Sequence, residues 1–339
     1  MDHFINIPVD HSGLIPDPRL AAIVTEAMSA PFEFTDIFIY SHGWWTTATD
    51  AMADYSRFSV EFLKTVSSIS PTVITAGPKS SFGIGVHWPS TLSENTHEIL
   101  NLFEPLTFYQ MEKRSDDVGF NAVFALLMLM YQTRQNATQM RNFRLTLLGH
   151  SFGCRVVCKA VQRLFRELMK PTTNMDFRDF VASTPINVVL LQAAFADTDL
   201  QRDENYGDII KLPQLRMLVT RSDLDLALKN LFPLAEHINF LSLRPGSRRA
   251  IGWAGPSAES RSEWNACELS LLPGYTPTQS FILDSESRML VCDLTPIHRV
   301  SNFPSSPLKG HHSDIFLPEI YKLIAKFAFD NVADDKSCI

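Results

Sequence analysis

Short apolar runs and longer stretches of helical spacing take turns along this chain. Residues 143–148 form a compact apolar run, which predicts a buried strand. Residues 155–169 follow, with apolar side chains at steps of four, three and four, which predicts a helix. The segments with the character of strands are residues 36–40, 83–88, 143–148, 186–194, 215–219 and 289–294. This alternation is typical of an α/β protein with a largely parallel sheet.

Other segments complete this outline. We expect one helix to be capped by Thr49 or Asp50, and a last helix to begin at Ser313 or Asp314 and run to residue 329. The apolar run 122–131 is too short to cross a bilayer and predicts a buried helix. It belongs to an interruption of the alternation at residues 91–135, which we interpret as a lid or cap insertion within one domain spanning residues 1–339.

Composition narrows the class of protein. Apolar residues make up 45% of the chain and charged residues 20%, enough to bury a sizeable core. The net charge of -7, with no run of lysine or arginine, argues against a nucleic-acid partner. We expect no secretory leader and no stable membrane insertion. The five cysteines do not suggest a disulfide framework, so a cytoplasmic location is the expectation.

The strand at 143–148 and the helix after it are joined by Gly149-His150-Ser151-Phe152-Gly153, a complete G-x-S-x-G. A serine at a sharp strand-to-helix turn is lifted out of the sheet, with its hydroxyl exposed and backbone N–H groups beside it. The flanking glycines permit the strained turn and close packing. This context makes Ser151 a candidate nucleophile.

A serine hydroxyl needs a histidine to accept its proton and a carboxylate to orient that histidine. For the acid, two aspartates follow the strand at 215–219. We favour Asp225. Asp223 stays open as the alternative acid, although it could instead cap the following helix. Asp197, after the preceding strand, is a third candidate.

For the base, adjacent histidines lie after the last predicted strand. We favour His312 over His311, because His312 leads directly into the final helix. His298 is expected to be structural, and His150 to pack into the sheet. The pattern of histidines and carboxylates here does not match a usual zinc ligand set, so neither a metal nor a cofactor is expected.

An oxyanion that develops at Ser151 needs preorganised N–H donors. One donor is expected from Phe152, the residue after the nucleophile. The second is expected from the loop after the strand at 36–40, where His42-Gly43 is followed by bulky aromatics. Trp44 is the favoured donor, and Gly43 is its nearest rival.

Together these residues resemble the α/β-hydrolase superfamily, and among its members the esterase- and lipase-type serine hydrolases. The matching positions are the His42-Gly43 loop, the turn at Ser151, the acid turn at 222–228 and the histidine segment at 310–315. The resemblance implies an open, mostly parallel eight-stranded sheet with helices on both faces. It also implies cofactor-free hydrolysis through an acyl-enzyme. Trp44 departs from the glycine-rich oxyanion loop of many lipases, which disfavours large acyl groups on that side.

The sequence thus predicts a serine hydrolase that cleaves a carboxylic ester or thioester with an apolar portion. The expected partner is a small acyl substrate. An acyltransferase or peptidase with the same triad is the first alternative, and a non-catalytic binding protein of the same fold is the second. Nothing in the sequence fixes the oligomeric state.

Overall fold

Within the part of the chain that the structure describes, one sheet of eight parallel strands organises the fold. The computed structural model describes residues 3–29, 34–69, 81–91, 104–136, 143–234, 248–278, 283, 286–301 and 310–329. The strands are β1 (His3–Pro8), β2 (Asp36–Ser41), β3 (Ser81–His87), β4 (Arg144–His150), β5 (Ile186–Leu191), β6 (Leu215–Arg221), β7 (Ala266–Ser270) and β8 (Met289–Asp293). Their order across the sheet is β1-β3-β2-β4-β5-β6-β8-β7. The predicted α/β-hydrolase fold class is confirmed.

Helices connect most of these strands. They are α1 (Pro18–Ser29), α2 (Ala48–Ser68), α3 (Glu104–Val118), α4 (Phe124–Asn136), α5 (Gly153–Leu168), α6 (Met175–Ser183), α7 (Ile251–Ala254), α8 (Ala258–Glu263), α9 (Thr295–Val300) and α10 (Pro318–Phe329). A π-helical turn, Gly119–Val123, joins α3 to α4. Among the described residues, no helix has both the length and the apolar character needed to cross a membrane.

The sheet is covered on both faces, and strand residues alternate between two apolar clusters. In β2, Ile37 and Ile39 pack with α1, α4 and α5, whereas Phe38 and Tyr40 pack with α2 and α10. β5 is buried at every position. Burial on both faces explains why the central strands read as continuous apolar runs rather than as alternating patterns.

The strand order brings the candidate site residues to one edge. β2, β4, β5 and β6 are consecutive neighbours, and parallel strands end at the same edge of a sheet. The segments that directly follow these four strands carry Gly43, Ser151, Gln192 and Asp225. Residues separated by almost two hundred positions in sequence are therefore gathered in a single crevice.

The starts of α2 and α10 differ from those predicted. Helix α2 starts earlier, and its N-cap is Thr47, whose hydroxyl accepts a hydrogen bond from the Asp50 amide. Helix α10 starts at Pro318 rather than at Ser313 or Asp314, because the preceding residues form the loop that carries His312. The edge strands β1 and β7 were not predicted.

The segment 91–135 lies only partly within the described residues, since residues 92–103 fall outside them. Residues 104–136 form α3, the π turn and α4, which pack on α5. A Cβ on Gly119 would lie 2.2 Å from the carbonyl oxygen of Val156, so only glycine allows this close approach. The ring of Phe108, on α3, packs against the ring of Phe152. The lid role of this segment stays a prediction.

Candidate active site

Ser151 occupies a strained turn between β4 and α5. Its φ of 54° lies in the left-handed region, which residues other than glycine rarely adopt. The neighbouring glycines leave no room for a side chain: a Cβ on Gly149 would lie 2.4 Å from the Cys154 nitrogen, and one on Gly153 2.1 Å from the Ser41 oxygen. The Ser151 amide donates to the Leu191 carbonyl at 3.0 Å, which holds the turn against β5.

Ser151, His312 and Asp225 form one hydrogen-bonded chain. The Ser151 Oγ lies 2.9 Å from Nε2 of His312, and Nδ1 of His312 lies 2.7 Å from Oδ2 of Asp225. With Nδ1–H donating to the carboxylate, Nε2 is free to accept the serine proton. All three side chains are buried or nearly so. The arrangement has the chemistry of a nucleophile, a general base and an orienting acid.

Asp225 is completely buried, yet its carboxylate has several donors. Oδ1 accepts a hydrogen bond from the Leu228 amide at 2.9 Å, and Oδ2 accepts from the side-chain amide of Gln192 at 2.9 Å. The backbone of the acid turn pairs with the histidine loop through a bridge between Asp225 and Gly310. A buried charge is tolerated only when it is hydrogen-bonded in this way.

The two alternative aspartates point elsewhere. Asp223 is more than half exposed and pairs with Arg221 at 3.1 Å. Asp197 pairs with Arg249 at 2.9 Å. Neither carboxylate contacts His312 in the structure.

His311 turns away from Ser151. Its Nδ1 lies 2.6 Å from Oδ2 of Asp314, and its ring stacks on His298. His298 is buried between the Ser222 hydroxyl and the Asp314 carbonyl oxygen, and burial lowers its pKa to about 4. This neutral ring supports the loop that carries His312, which agrees with the structural role expected for His298.

His150 has a role that the sequence did not indicate. Its Nε2–H donates to the carbonyl oxygen of His312 at 2.8 Å, and the two rings lie 5.0 Å apart. The expectation that His150 packs into the sheet is therefore wrong. The side chain reaches across the crevice because the histidine loop lies directly over the end of β4.

The loop after β2 approaches Ser151 closely. A Cβ on Gly43 would lie 2.8 Å from the Ser151 Cβ. The Gly43 carbonyl accepts hydrogen bonds from Nδ1 of His42 at 2.8 Å and from the Thr46 hydroxyl at 3.0 Å. Since the peptide is trans, the Trp44 N–H points in the direction opposite to the Gly43 C=O, within the same peptide plane.

His42 is held as a neutral ring. The Trp88 amide donates to its Nε2 at 3.2 Å, and the Trp88 indole lies parallel to its ring. Burial lowers the pKa of His42 to about 3. The Nδ1 proton is therefore retained for the Gly43 carbonyl, which fixes the orientation of the following peptide.

Backbone amides at the site are available, including that of Gly43, the rival donor. Across the described residues, neither the Trp44 N–H nor the Phe152 N–H donates a hydrogen bond. Phe152 precedes the first turn of α5, where amides have no partner within the helix and the helix dipole favours negative charge. The two donors thus flank the turn that carries Ser151.

Gln192 is a residue that sequence reasoning missed. It follows β5 directly, is fully buried and has a φ of 45°. Its side-chain amide donates both to Asp225 and to the His311 carbonyl oxygen, at 2.9 and 3.1 Å. The only sequence signal is a polar residue within the apolar stretch 186–194. Nowhere in the described residues do three or more histidine, cysteine or carboxylate side chains form a group suited to a metal ion.

A family model described as "Alpha/beta hydrolase of unknown function (DUF900)" matches residues 37–236, which is more than half of the chain. The match contains the Gly43 loop, Ser151, Gln192 and Asp225, and it ends before His312. No curated protein matches the chain.

Proposed function

Because the chain belongs to the alpha/beta hydrolase family of unknown function DUF900, we propose that it is a serine hydrolase acting on a carboxylic ester or thioester through an acyl-enzyme. The observation that carries this proposal is the hydrogen-bonded chain from Ser151 through His312 to the buried Asp225. A protein that only binds ligands has no chemical need for this alignment at a strained turn.

In the acylation step, Ser151 Oγ attacks the substrate carbonyl carbon and His312 Nε2 takes the hydroxyl proton. Asp225 stabilises the imidazolium that forms. The amides of Trp44 and Phe152 donate to the oxyanion, and a single donor of this kind contributes roughly a hundredfold or more in rate. When the bond to the leaving group breaks, His312 returns the proton to the departing oxygen or sulfur.

Deacylation repeats these roles with water. His312 removes a proton from the water molecule as it attacks the acyl carbon, and the Ser151–acyl bond breaks as the serine regains a proton. The reaction yields a carboxylic acid and regenerates the free hydroxyl. An alcohol or amine in place of water would give acyl transfer by the same residues.

The apolar part of the substrate is supported by aromatic rings beside the oxyanion donors. Phe108 lies 5.1 Å from Phe152 and 5.6 Å from Phe232 between ring centroids, and Trp44 lies 5.6 Å from Phe152. These rings pack against one another as an apolar wall, and the burial of Phe108, Phe152 and Phe232 leaves little of it open to a long chain. We therefore assign short acyl chains to this side.

The experiment that tests the proposal is a panel of acyl esters and thioesters from acetyl to lauroyl, measured with and without an added alcohol or amine. We expect turnover that is highest for the shorter chains. New acyl products in the presence of the nucleophile would identify a transferase. Absence of turnover on the whole panel would contradict the proposal.

The proposal includes a cytoplasmic location. It is supported by the described cysteines, which are unpaired thiols: Cys154, Cys158, Cys267 and Cys292. A reducing compartment keeps thiols in this state. Cell fractionation with an antibody to the protein would test this location.

A further inference from the structure

A cavity of about 180 Å³ opens beside His312. Its walls come from the loop after β2, the first turns of α2 and the loop that precedes α10. Aromatic side chains from Trp44, Trp45 and Phe316 line it, together with two carboxylates, Asp50 and Asp54. The combination of aromatic faces and carboxylates distinguishes this cavity from the apolar wall at Phe108.

Asp54 is a carboxylate without a partner. It is half-buried, and no described residue gives it a hydrogen bond or an ion pair at contact distance. Burial, reinforced by the negative charge of Asp50, raises the pKa of Asp54 to about 6. Arg57 offsets part of this effect, but its guanidinium lies over the ring of Phe316. A cation in the cavity would supply the missing charge.

The rest of the lining favours the same ligand chemistry. Among the described residues that line the cavity, none is a lysine or an arginine. The rings of Trp44 and Trp45 lie 4.7 Å apart and form a continuous aromatic surface. Tryptophan faces attract ammonium groups through the ring quadrupole, most strongly where water is partly excluded.

The position of the cavity indicates which half of a substrate enters it. His312 forms part of its wall, and in the reaction proposed above His312 protonates the departing oxygen. The Phe108 and Phe152 rings lie beside the oxyanion donors. We therefore assign the acyl chain to the apolar wall at Phe108 and the leaving group to the cavity.

We propose, on the basis of the serine hydrolase function above, that this cavity is a leaving-group subsite for the ammonium group of an amino-alcohol ester. The Ser151 Oγ–carbon bond forms and the carbon–oxygen bond to the amino alcohol breaks. The serine proton passes through His312 to the departing alkoxide, which leaves as a neutral hydroxyl. The ammonium group changes no bonds and serves only as the recognition element.

The test compares two esters of the same short acid, a choline ester and its uncharged 3,3-dimethylbutyl analogue, which has the same shape. We expect the native protein to prefer the choline ester by roughly tenfold in kcat/KM, the size of one modest cation contact. Asp54→Asn should reduce this ratio severalfold, with the remainder due to the Trp44 and Trp45 faces. Glu61→Gln is the matched control, because it removes a carboxylate from the same helix outside the cavity.

A second measurement separates the subsite from the hydrolase proposal. Tetramethylammonium should change the tryptophan fluorescence of the native protein and of Glu61→Gln, with much weaker binding to Asp54→Asn. Turnover of both esters at equal rates by the native protein would overturn the subsite and leave the hydrolase intact. If neither ester is turned over, both the leaving-group assignment and the proposed hydrolase function are contradicted. Equal binding of tetramethylammonium to native protein and Asp54→Asn would contradict the proposed cation site at Asp54.

Discussion

The side-chain amide of Gln192 donates to Oδ2 of Asp225 at 2.9 Å, the same oxygen that accepts from His312. The same amide also holds the carbonyl oxygen of His311 at 3.1 Å. A single buried side chain thus ties the acid turn to the histidine loop. We assign Gln192 the role of a positioning residue.

Gln192→Glu preserves the shape of this side chain but replaces the amide donor with a carboxylate. At neutral pH two negative charges would then face each other, so kcat should fall by one to two orders of magnitude with little change in KM. On acidification the introduced carboxyl takes up a proton and can donate again, so the loss relative to native protein should shrink. The control is Gln201→Ala, because the side-chain amide of Gln201 contacts Ser257 instead. A uniform loss at every pH would indicate a merely structural role.

Removing the negative charge of Asp225 should disable the general base. Asp225→Asn is expected to lower kcat by roughly four orders of magnitude, because the neutral amide neither fixes the His312 tautomer nor stabilises its cation. Asp223→Asn and Asp197→Asn should stay close to native activity, since these carboxylates pair with arginines outside the site. A large loss in either of these variants would reassign the acid.

Gly43→Ala tests the close approach of the oxyanion loop. The added Cβ would lie 2.8 Å from the Ser151 Cβ and 3.2 Å from Nδ1 of His150, so one of these groups has to move. We expect kcat to fall by roughly a hundredfold, because the position of the donors relative to the serine is lost. Gly274→Ala is the control: it has a positive φ but a Cβ there touches nothing within 4 Å. Steady-state kinetics with matched melting curves would distinguish a site effect from global destabilisation.

Stability should depend on pH through His298. Its pKa is lowered by burial to about 4 in the folded protein, against 6.5 for a solvent-exposed histidine. The unfolded chain therefore binds the proton first as pH falls, and stability is lost between pH 6.5 and 4. Between pH 7 and pH 5 this single group should cost about 2 kcal/mol of unfolding free energy.

The comparison that isolates this effect is His298→Gln, which does not titrate. Urea unfolding of both proteins at pH 7 and pH 5 should show the smaller pH dependence in the variant. His42, whose pKa is lowered to about 3, acts with the same sign in both proteins and cancels in the difference. Identical pH dependence in the two proteins would refute the assignment to His298.

The periodicity of apolar residues in the sequence predicts most of the fold. The central strands are apolar at nearly every position because both faces are buried, so they stand out in the sequence. The edge strands β1 and β7 are different: β7 has five residues, each partly or fully exposed, and it lies in a segment rich in turn-forming residues. The start of α10 was predicted too early, because Ser313 and Asp314 have the composition of a cap but belong to the loop that presents His312.

The candidate site was harder to derive than the fold. The turn at Ser151 is local, so five residues and their flanks are enough to indicate it. Asp223 and Asp225 are two residues apart, and the contacts of Asp225 with Gly310 and His312, which are distant in sequence, decide which one faces the histidine loop. Gln192 is marked in the sequence only as a polar residue in an apolar stretch, and His150 is not marked at all. Their roles depend on contacts with a loop more than a hundred residues away in sequence.

The most direct test of the proposed mechanism is the reaction of the native protein with a fluorophosphonate, followed by mass spectrometry of the labelled peptide. We expect one label per chain, on Ser151, with complete loss of acyl-ester turnover. Ser151→Ala should take up no label, show no turnover and melt at nearly the native temperature. A native protein that resists the probe, together with a Ser151→Ala variant that turns over acyl esters at the native rate, would contradict the account.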